Sequence, residues 1–284
     1  MNDSDILIIG ANGQLGTALK VKYPGARAVD SNELDITNQE ALEAFDWSGV
    51  KTILNTAAYT NVDGAESPEG RVSAWKVNAQ AVGYLSKIAL KHDITIVHVS
   101  TEYVFDGTQN PHSEDEPLSP LGVYAQSKAA GDIAASVLPK YYIVRTSWVI
   151  GNGKNFVRTM LGLGQQGVDP SVIADDIGRP TFTVELVRAV DHLLSHQAPY
   201  GTYNISNAGE PVSWANLTRA IFQLAKLDRK VTDTTNAKYY ADKPGASPRP
   251  HNSVFDLKKI QSTGFVPRDW KDDLADYINK EVPQ

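Results

Sequence analysis

Tyr124 and Lys128 stand four residues apart in the run Tyr124-Ala-Gln-Ser-Lys128. On a helix, residues i and i+4 are neighbours on one face. An ammonium so placed can favour the phenolate and bring the tyrosine pKa, about 10 when unperturbed, toward the working range. A phenol tuned in this way can give its proton to a carbonyl oxygen that an arriving hydride is turning into an alkoxide. Pairs of this kind also arise by chance on solvated helix faces, so the chemistry depends on what precedes the pair in the chain.

Two upstream features supply that context. The apolar run Ile6-Leu-Ile-Ile9 leads into Gly10-Ala-Asn-Gly13-Gln-Leu-Gly16 and then a helix-compatible segment to Tyr23. Strand, glycine turn and helix is the order of a dinucleotide site, with glycine admitting a tight turn and the helix N-terminus receiving a pyrophosphate. Asp30 falls twenty residues after Gly10, where an acid can accept from an adenine-ribose diol; as a plain strand-end turn residue it has an equally good reading. The second feature is Val97-His-Val-Ser100-Thr101, an apolar strand ending in two hydroxyls. Ligands collect at the carboxyl ends of strands in an open parallel sheet, so a hydroxyl there could bond the oxygen that Tyr124 protonates.

The elements expected to position these residues alternate along the first half of the chain. Strands are expected at Ile6–Ile9, Arg27–Val29, Thr52–Leu54, Ile94–Val99 and Tyr141–Val144, separated by helix-compatible segments. That alternation indicates an α/β protein with a Rossmann-type, doubly wound parallel sheet. Between Pro68 and His92, Val72, Trp75, Ala79, Val82, Leu85 and Ile88 form one helical stripe expected to pack on the sheet. Asn78 interrupts this stripe, either as a buried hinge or as part of a proton path. Beyond residue 150 the alternation fades. Residues 1–150 are therefore expected to form the dinucleotide-binding domain, and 151–284 a smaller α/β substrate domain, with segments able to return to the first sheet. Helices are expected near 213–227 and 270–280, and Pro244-Gly-Ala-Ser-Pro-Arg-Pro250 must be a loop.

Composition narrows the function classes. The chain has 284 residues, 42% hydrophobic and 21% charged, with a mean hydropathy of −0.30, as soluble globular proteins do. It contains no cysteine, which excludes disulfides, thiolate catalysis and cysteine-held metals. A net charge of −6 with scattered basic residues offers no footprint for nucleic acid. No apolar run reaches membrane-span length, and Met1-Asn-Asp-Ser-Asp5 is acidic where a secretory signal would be basic; the expected compartment is the cytoplasm. His192 and His196 have the spacing of a zinc-ligand pair, but no third ligand stands near them in sequence, and a polar helix end is the expected reading.

A longer ordered series carries a resemblance. It runs through Leu34-Asp35-Ile36-Thr37, Asn55-Thr-Ala-Ala58, Thr101-Glu-Tyr-Val-Phe-Asp-Gly107 and Glu114-Asp-Glu-Pro-Leu-Ser-Pro120. The Tyr124/Lys128 pair follows, then Arg145-Thr-Ser-Trp148, Asn155-Phe156, Asp175-Asp-Ile-Gly-Arg-Pro-Thr181 and Arg249-Pro-His-Asn-Ser253. Together these resemble the dTDP-4-dehydrorhamnose reductase family, extended members of the short-chain dehydrogenase/reductases, over almost the whole chain. The resemblance implies reduction of the C4 ketone of dTDP-4-dehydro-β-L-rhamnose to dTDP-L-rhamnose by NADPH or NADH. It implies that Tyr124 is the proton donor, that Lys128 tunes it and holds the nicotinamide ribose, and that Thr101 bonds the substrate oxygen. Gly10, Gly13, Gln14, Leu15 and Gly16 would wrap the pyrophosphate; Asp35 and Ile36 would frame the adenine, and Ala57, Ala58 and Tyr59 would line the cofactor. Glu102, Tyr103 and Trp148 would hold the sugar, and Arg249 would neutralise the diphosphate.

Several residues depart from the family pattern. Glu102 stands where Asp is usual, and Ala125 replaces a glycine after Tyr124. Ala18 stands where some members carry a Glu that binds magnesium at a dimer interface, so no metal is expected, and the chain is expected to be a monomer or weak homodimer. Ser31 follows Asp30 where many members have an arginine facing the NADP 2′-phosphate; both NADPH and NADH are therefore expected to serve. A dehydratase would need an Asp-Glu pair after Thr101, whereas Glu102 is followed by Tyr103. A reductase or epimerase for another nucleotide sugar, or a non-catalytic NADP-binding regulatory subunit, remain alternatives, as does functional coupling to a sugar epimerase.

Overall fold

Four consecutive apolar residues leave no polar face for water, and Ile6–Ile9 (β1) is buried along its whole length. The computed structural model describes residues 2–281. The glycine turn leads from β1 into α1 (Gln14–Lys22), followed by β2 (Arg27–Val29), α2 (Gln39–Ala44) and β3 (Thr52–Asn55). After α3 (Pro68–Trp75) and α4 (Ala81–His92) come β4 (Thr95–Thr101), α5 (Val123–Ser136) and β5 (Tyr141–Thr146). The second half holds β6 (Val149–Ile150), α6 (Phe156–Gln165), β7 (Ser171–Ile173), β8 (Ile177–Gly178), β9 (Thr181–Phe182), α7 (Thr183–Ser195) and β10 (Gly201–Ile205). Past these lie β11 (Val212–Ser213), α8 (Trp214–Leu224), β12 (Thr232–Thr234) and a last helix, Trp270–Glu281.

The main sheet has six strands in the order β10-β5-β4-β3-β1-β2, and every pairing in it is parallel. The chain therefore winds outward in both directions from β1 and β3, and the crevice for a ligand opens where the direction reverses. Side chains alternate across β1: Ile6 and Ile8 join the core beneath α1 and α7, and Leu7 and Ile9 join the core beneath α2 and α4. The sixth strand, β10, and the helix before it, α7, come from the second half of the chain. A separate core gathers α6, α8 and the last helix through Val157, Leu161, Leu217, Ile221, Trp270 and Leu274. Around it lie three two-stranded ladders, β6 with β9, β7 with β12 and β8 with β11.

The helical stripe expected from 68 to 92 is broken. Lys76–Gln80 forms a π turn between α3 and α4, and the extra residue per turn shifts the phase of the pattern. Val82, Leu85 and Ile88 are buried, while Val72 and Trp75 are 55% and 43% exposed. Asn78 sits buried in the π turn, with its side-chain oxygen accepting from the Tyr59 amide and its nitrogen donating to Tyr59 O and Ser127 Oγ. It thereby ties the loop after β3 to α5. His192 Nε2 lies 2.9 Å from Thr263 Oγ1 and the ring stacks on His196; among the described residues no group of three or more potential ligands could hold a metal ion.

Candidate active site

The glycine turn meets the loop after β3 at backbone contact. Gly10 has φ +79°, and a Cβ there would lie 2.6 Å from Ala57 N, so only glycine permits the approach. A Cβ on Gly16 would lie 2.2 Å from Gly10 O. Gly16 is buried under the turn, where it closes the turn on α1. Gly13 differs from both: its Cβ would meet nothing nearer than Gly10 O at 3.4 Å, and it caps α1 without any side-chain hydrogen bond. The first-turn amides of α1 thus face an open surface with a positive helix end, which suits a pyrophosphate. Gln14 is tied elsewhere, its Oε1 accepting from Gly151 N at 2.8 Å, while Leu15 is mostly buried but keeps an edge on the cleft.

One cavity of about 380 Å³ extends from this turn, lined by Gly10, Gly13, Asp30, Asp35, Ile36, Ala57, Ala58 and Tyr59. Asp30 accepts from the amides of Asn12 and Ser31. Burial works against its charge, but these two bonds and the Lys20 ammonium hold the carboxyl below its usual range. Asp35 accepts from both the amide and the hydroxyl of Thr37, a closed local turn.

A second cavity, about 620 Å³, shares Gly13 and Ala58 with the first and brings Gln14, Leu15, Thr101, Glu102, Tyr103, Tyr124, Lys128 and Trp148 together. Thr101 is the last residue of β4, at the carboxyl end of the strand. Tyr124 and Lys128 project from α5 on the same face, and Lys128 is 2% exposed with Nζ donating to Val99 O at 2.6 Å. Burial brings the Lys128 ammonium down from 10.5 to about 8, with Asp132 pulling the other way. The expected lowering of the Tyr124 pKa is not what this geometry gives. Burial, then the charge of Glu102, push the phenol above its ordinary value, and only the Thr101 hydroxyl opposes them. The leading cause is loss of hydration around the buried phenol, and the Lys128 ammonium expected to oppose it donates to a backbone carbonyl instead. A phenol held protonated is nevertheless the state a proton donor requires.

The third cavity, about 410 Å³, shares Tyr103, Trp148, Phe156 and Trp214 with the second and contains Arg249. Trp148 has φ +47° and stacks on Trp214 with ring centroids 3.5 Å apart. Gly178 makes that placement possible, since a Cβ there would lie 2.7 Å from the Trp148 ring. Tyr103 meets Tyr124 edge to face at 5.9 Å. Arg249 does reach the cavity, but its Nη2 donates to both carboxylate oxygens of Asp63 at 2.9 Å and its Nη1 to Ser247 O at 2.8 Å. Trp214, Asp63 and Tyr240, whose ring lies 4.7 Å below the Arg249 guanidinium, were not legible as site residues. Each lies at least sixty residues from the Tyr124/Lys128 pair or outside any motif, and only the packing brings them in.

The arrangement has close counterparts. Residues 4–282 match the family model described as RmlD substrate binding domain. The chain belongs to that family. It is 39% identical to a dTDP-4-dehydrorhamnose reductase of Aggregatibacter actinomycetemcomitans, over 94% of this chain and 95% of the relative. The crystal structure of a dTDP-4-dehydrorhamnose reductase from Clostridium acetobutylicum superposes with a TM-score of 0.90 at 36% identity, covering 97% of this chain and 99% of that one. A dTDP-4-dehydrorhamnose reductase from Bacillus anthracis, solved in complex with NADP, gives 0.88 at 32% identity, covering 97% and 98%. The Rossmann-type α/β architecture of this RmlD-family chain agrees with the sequence expectation.

Proposed function

We propose that this protein is a dTDP-4-dehydrorhamnose reductase, an oxidoreductase that converts the C4 ketone of dTDP-4-dehydro-β-L-rhamnose to the alcohol of dTDP-L-rhamnose. The observation that carries the reading is the convergence of Thr101, Tyr124 and Lys128 in the middle cavity, between the glycine turn and the aromatic wall. The bound nicotinamide nucleotide would supply the hydride. Gly13 and the first-turn amides of α1 would hold its pyrophosphate, Asp30 its adenine ribose, and Asp35, Ile36, Ala57, Ala58 and Tyr59 its adenine side. Tyr124 then delivers a proton to the ketone oxygen as negative charge develops there, and Lys128, still mostly charged at neutral pH, holds the ribose and balances the phenolate left behind.

Tyr103, Trp148 and Trp214 supply the flat surfaces against which a sugar ring can lie. Arg249 is the cation available to the diphosphate on exchanging its Asp63 partner. NADPH is the favoured cofactor, in line with the NADP-bound relative. NADH is also accepted, because Asp30 and Ser31 present no arginine to a 2′-phosphate. No magnesium site is assigned, and Ala18 packs against the core. Residues of the first half together with 183–205 form the cofactor lobe in this reading, and the remainder the substrate lobe. We further read the protein as a cytoplasmic monomer or weak homodimer fed by a sugar epimerase; among the described residues no helix is long and apolar enough to cross a membrane.

The test is oxidation of NADPH, and separately NADH, by the purified protein with dTDP-4-dehydro-L-rhamnose, the product being identified by NMR. Tyr124→Phe is expected to lower kcat by about 10²- to 10⁴-fold while leaving cofactor affinity nearly unchanged. Cofactor binding without oxidation of either nucleotide in the unaltered protein would sink the assigned substrate.

A further inference from the structure

Thr101 has one proton to donate, and in the structure it is already committed. Its hydroxyl donates to Glu102 Oε2 at 2.8 Å and accepts from the Tyr103 amide at 3.3 Å. A hydroxyl offers one donor and two acceptor lone pairs. With Glu102 ionised, Thr101 can therefore only accept from a third group, such as the Tyr124 phenol that interacts with it, and a ketone oxygen, having only lone pairs, gains nothing from it. Protonation of Glu102 reverses the bond: the acid donates to Thr101, the second lone pair is filled, and the threonine proton is freed toward the cleft.

We propose that Glu102 is a positioning residue that sets the direction of the Thr101 hydroxyl, making it a donor to the ketone oxygen beside Tyr124 when Glu102 is the neutral acid and withdrawing that donor when it is the carboxylate. The proposal rests on the ketone-reduction reading above.

The surroundings of Glu102 suit such a switch. The residue opens the turn Glu102–Val104 immediately after β4 and is 5% exposed. Tyr103 faces it from its own turn and Tyr124 from α5, with Asp132 beyond on the same helix acting on Tyr124; Arg249 and Tyr240 act on Tyr103 from the C-terminal loop. Glu102 forms no ion pair among the described residues, so burial prevails over the opposing bonds from Thr101 and the Trp148 amide and raises its carboxyl from 4.5 to about 7. The Glu102 charge also raises the Tyr124 phenol, so neutralising it makes the proton donor more acidic. Both effects favour reduction on the acid side of neutrality.

The first experiment is the pH profile of kcat/KM for ketone reduction by the full chain, from about pH 5.5 to about pH 9. The unaltered protein is expected to fall by about tenfold through a midpoint near 7 to a lower plateau, the loss of one hydrogen bond to the developing oxyanion. Glu102→Gln, whose amide nitrogen can donate to Thr101 without titrating, is expected to lose the step near 7 whatever its absolute rate, leaving only the later fall as Lys128 deprotonates near 8. A Glu102→Gln profile that keeps the same step, or a flat profile in the unaltered protein, overturns the proposal. The second experiment needs neither turnover nor a variant at Glu102: ¹³C NMR titration of the Glu102 carboxyl in the unaltered protein and in Thr101→Val. A midpoint near 7 that moves upward in Thr101→Val is expected, because the hydroxyl that favours the carboxylate is gone; a midpoint that Thr101→Val leaves in place overturns the coupling. Absence of any ketone reduction would instead strike the proposed function, while this titration would still report on the Thr101–Glu102 bond.

Discussion

The two sides of the cleft are built in different ways. The side proposed to hold the cofactor is a backbone surface: Gly10 against Ala57, Gly13 open to solvent, and α1 presenting uncapped amides, all within one turn and the strand beside it. The side proposed to hold the sugar is a side-chain surface assembled from distant segments, with Trp148 after β5, Phe156 and Trp214 on two helices, and Arg249 in the proline-rich loop. A backbone surface tolerates very few residues at its contact points, whereas a wall of stacked rings can exchange one apolar partner for another.

The sharpest way to break this contrast is at the glycines. Gly10→Ala is expected to cost about 2–5 kcal/mol of stability, from the positive φ and the overlap with Ala57 together, read as a shift in the urea midpoint. Gly13→Ala, at an ordinary φ of −70°, is expected to leave stability within about 1 kcal/mol yet weaken cofactor binding in titration calorimetry. Equal stability losses at the two positions would mean that the turn has no face reserved for a ligand.

A smaller effect separates the two sides by pH. Glu102 has a folded-state pKa raised from 4.5 to about 7, so its stabilising protonated form is fully retained below the unfolded value and lost as the pH rises through the folded one. Relative to Glu102→Gln, the unaltered protein is expected to lose up to about 3 kcal/mol between acid and mildly alkaline solution, which paired thermal melts at several pH values would reveal. Parallel melts would mean that the carboxyl is solvated.

The smallest expected effect lies in the aromatic wall. Trp214→Ala removes the ring that supports Trp148 and is expected to raise KM for the nucleotide sugar by about three- to tenfold, with cofactor affinity unchanged. A change in the cofactor constant instead would show that the two sides are mechanically one.

Local pattern made the first side legible. The strand at Ile6–Ile9, the glycine turn, the hydroxyls closing the strand after Val97 and the Tyr124/Lys128 spacing are short-range features, and the strands lie where β-branched runs place them. The stripe across Asn78 misled because the π turn that rotates Val72 and Trp75 outward leaves no mark in residue periodicity. Lys128 was read as the neighbour of Tyr124, but proximity on a helix does not say where a flexible ammonium points, and Val99 O receives it.

The sequence by itself thus determined the first five strands of the main sheet and which residue types reach their carboxyl edge, because parallel strands and their turns are written in local apolarity and glycine placement. Only the tertiary structure decided the partners that set the chemistry: Asp63 on Arg249, Trp214 under Trp148, and Glu102 rather than Lys128 as the charge acting on the phenol. Those pairings join segments far apart in the chain, and they depend on burial and on side-chain direction, neither of which spacing encodes.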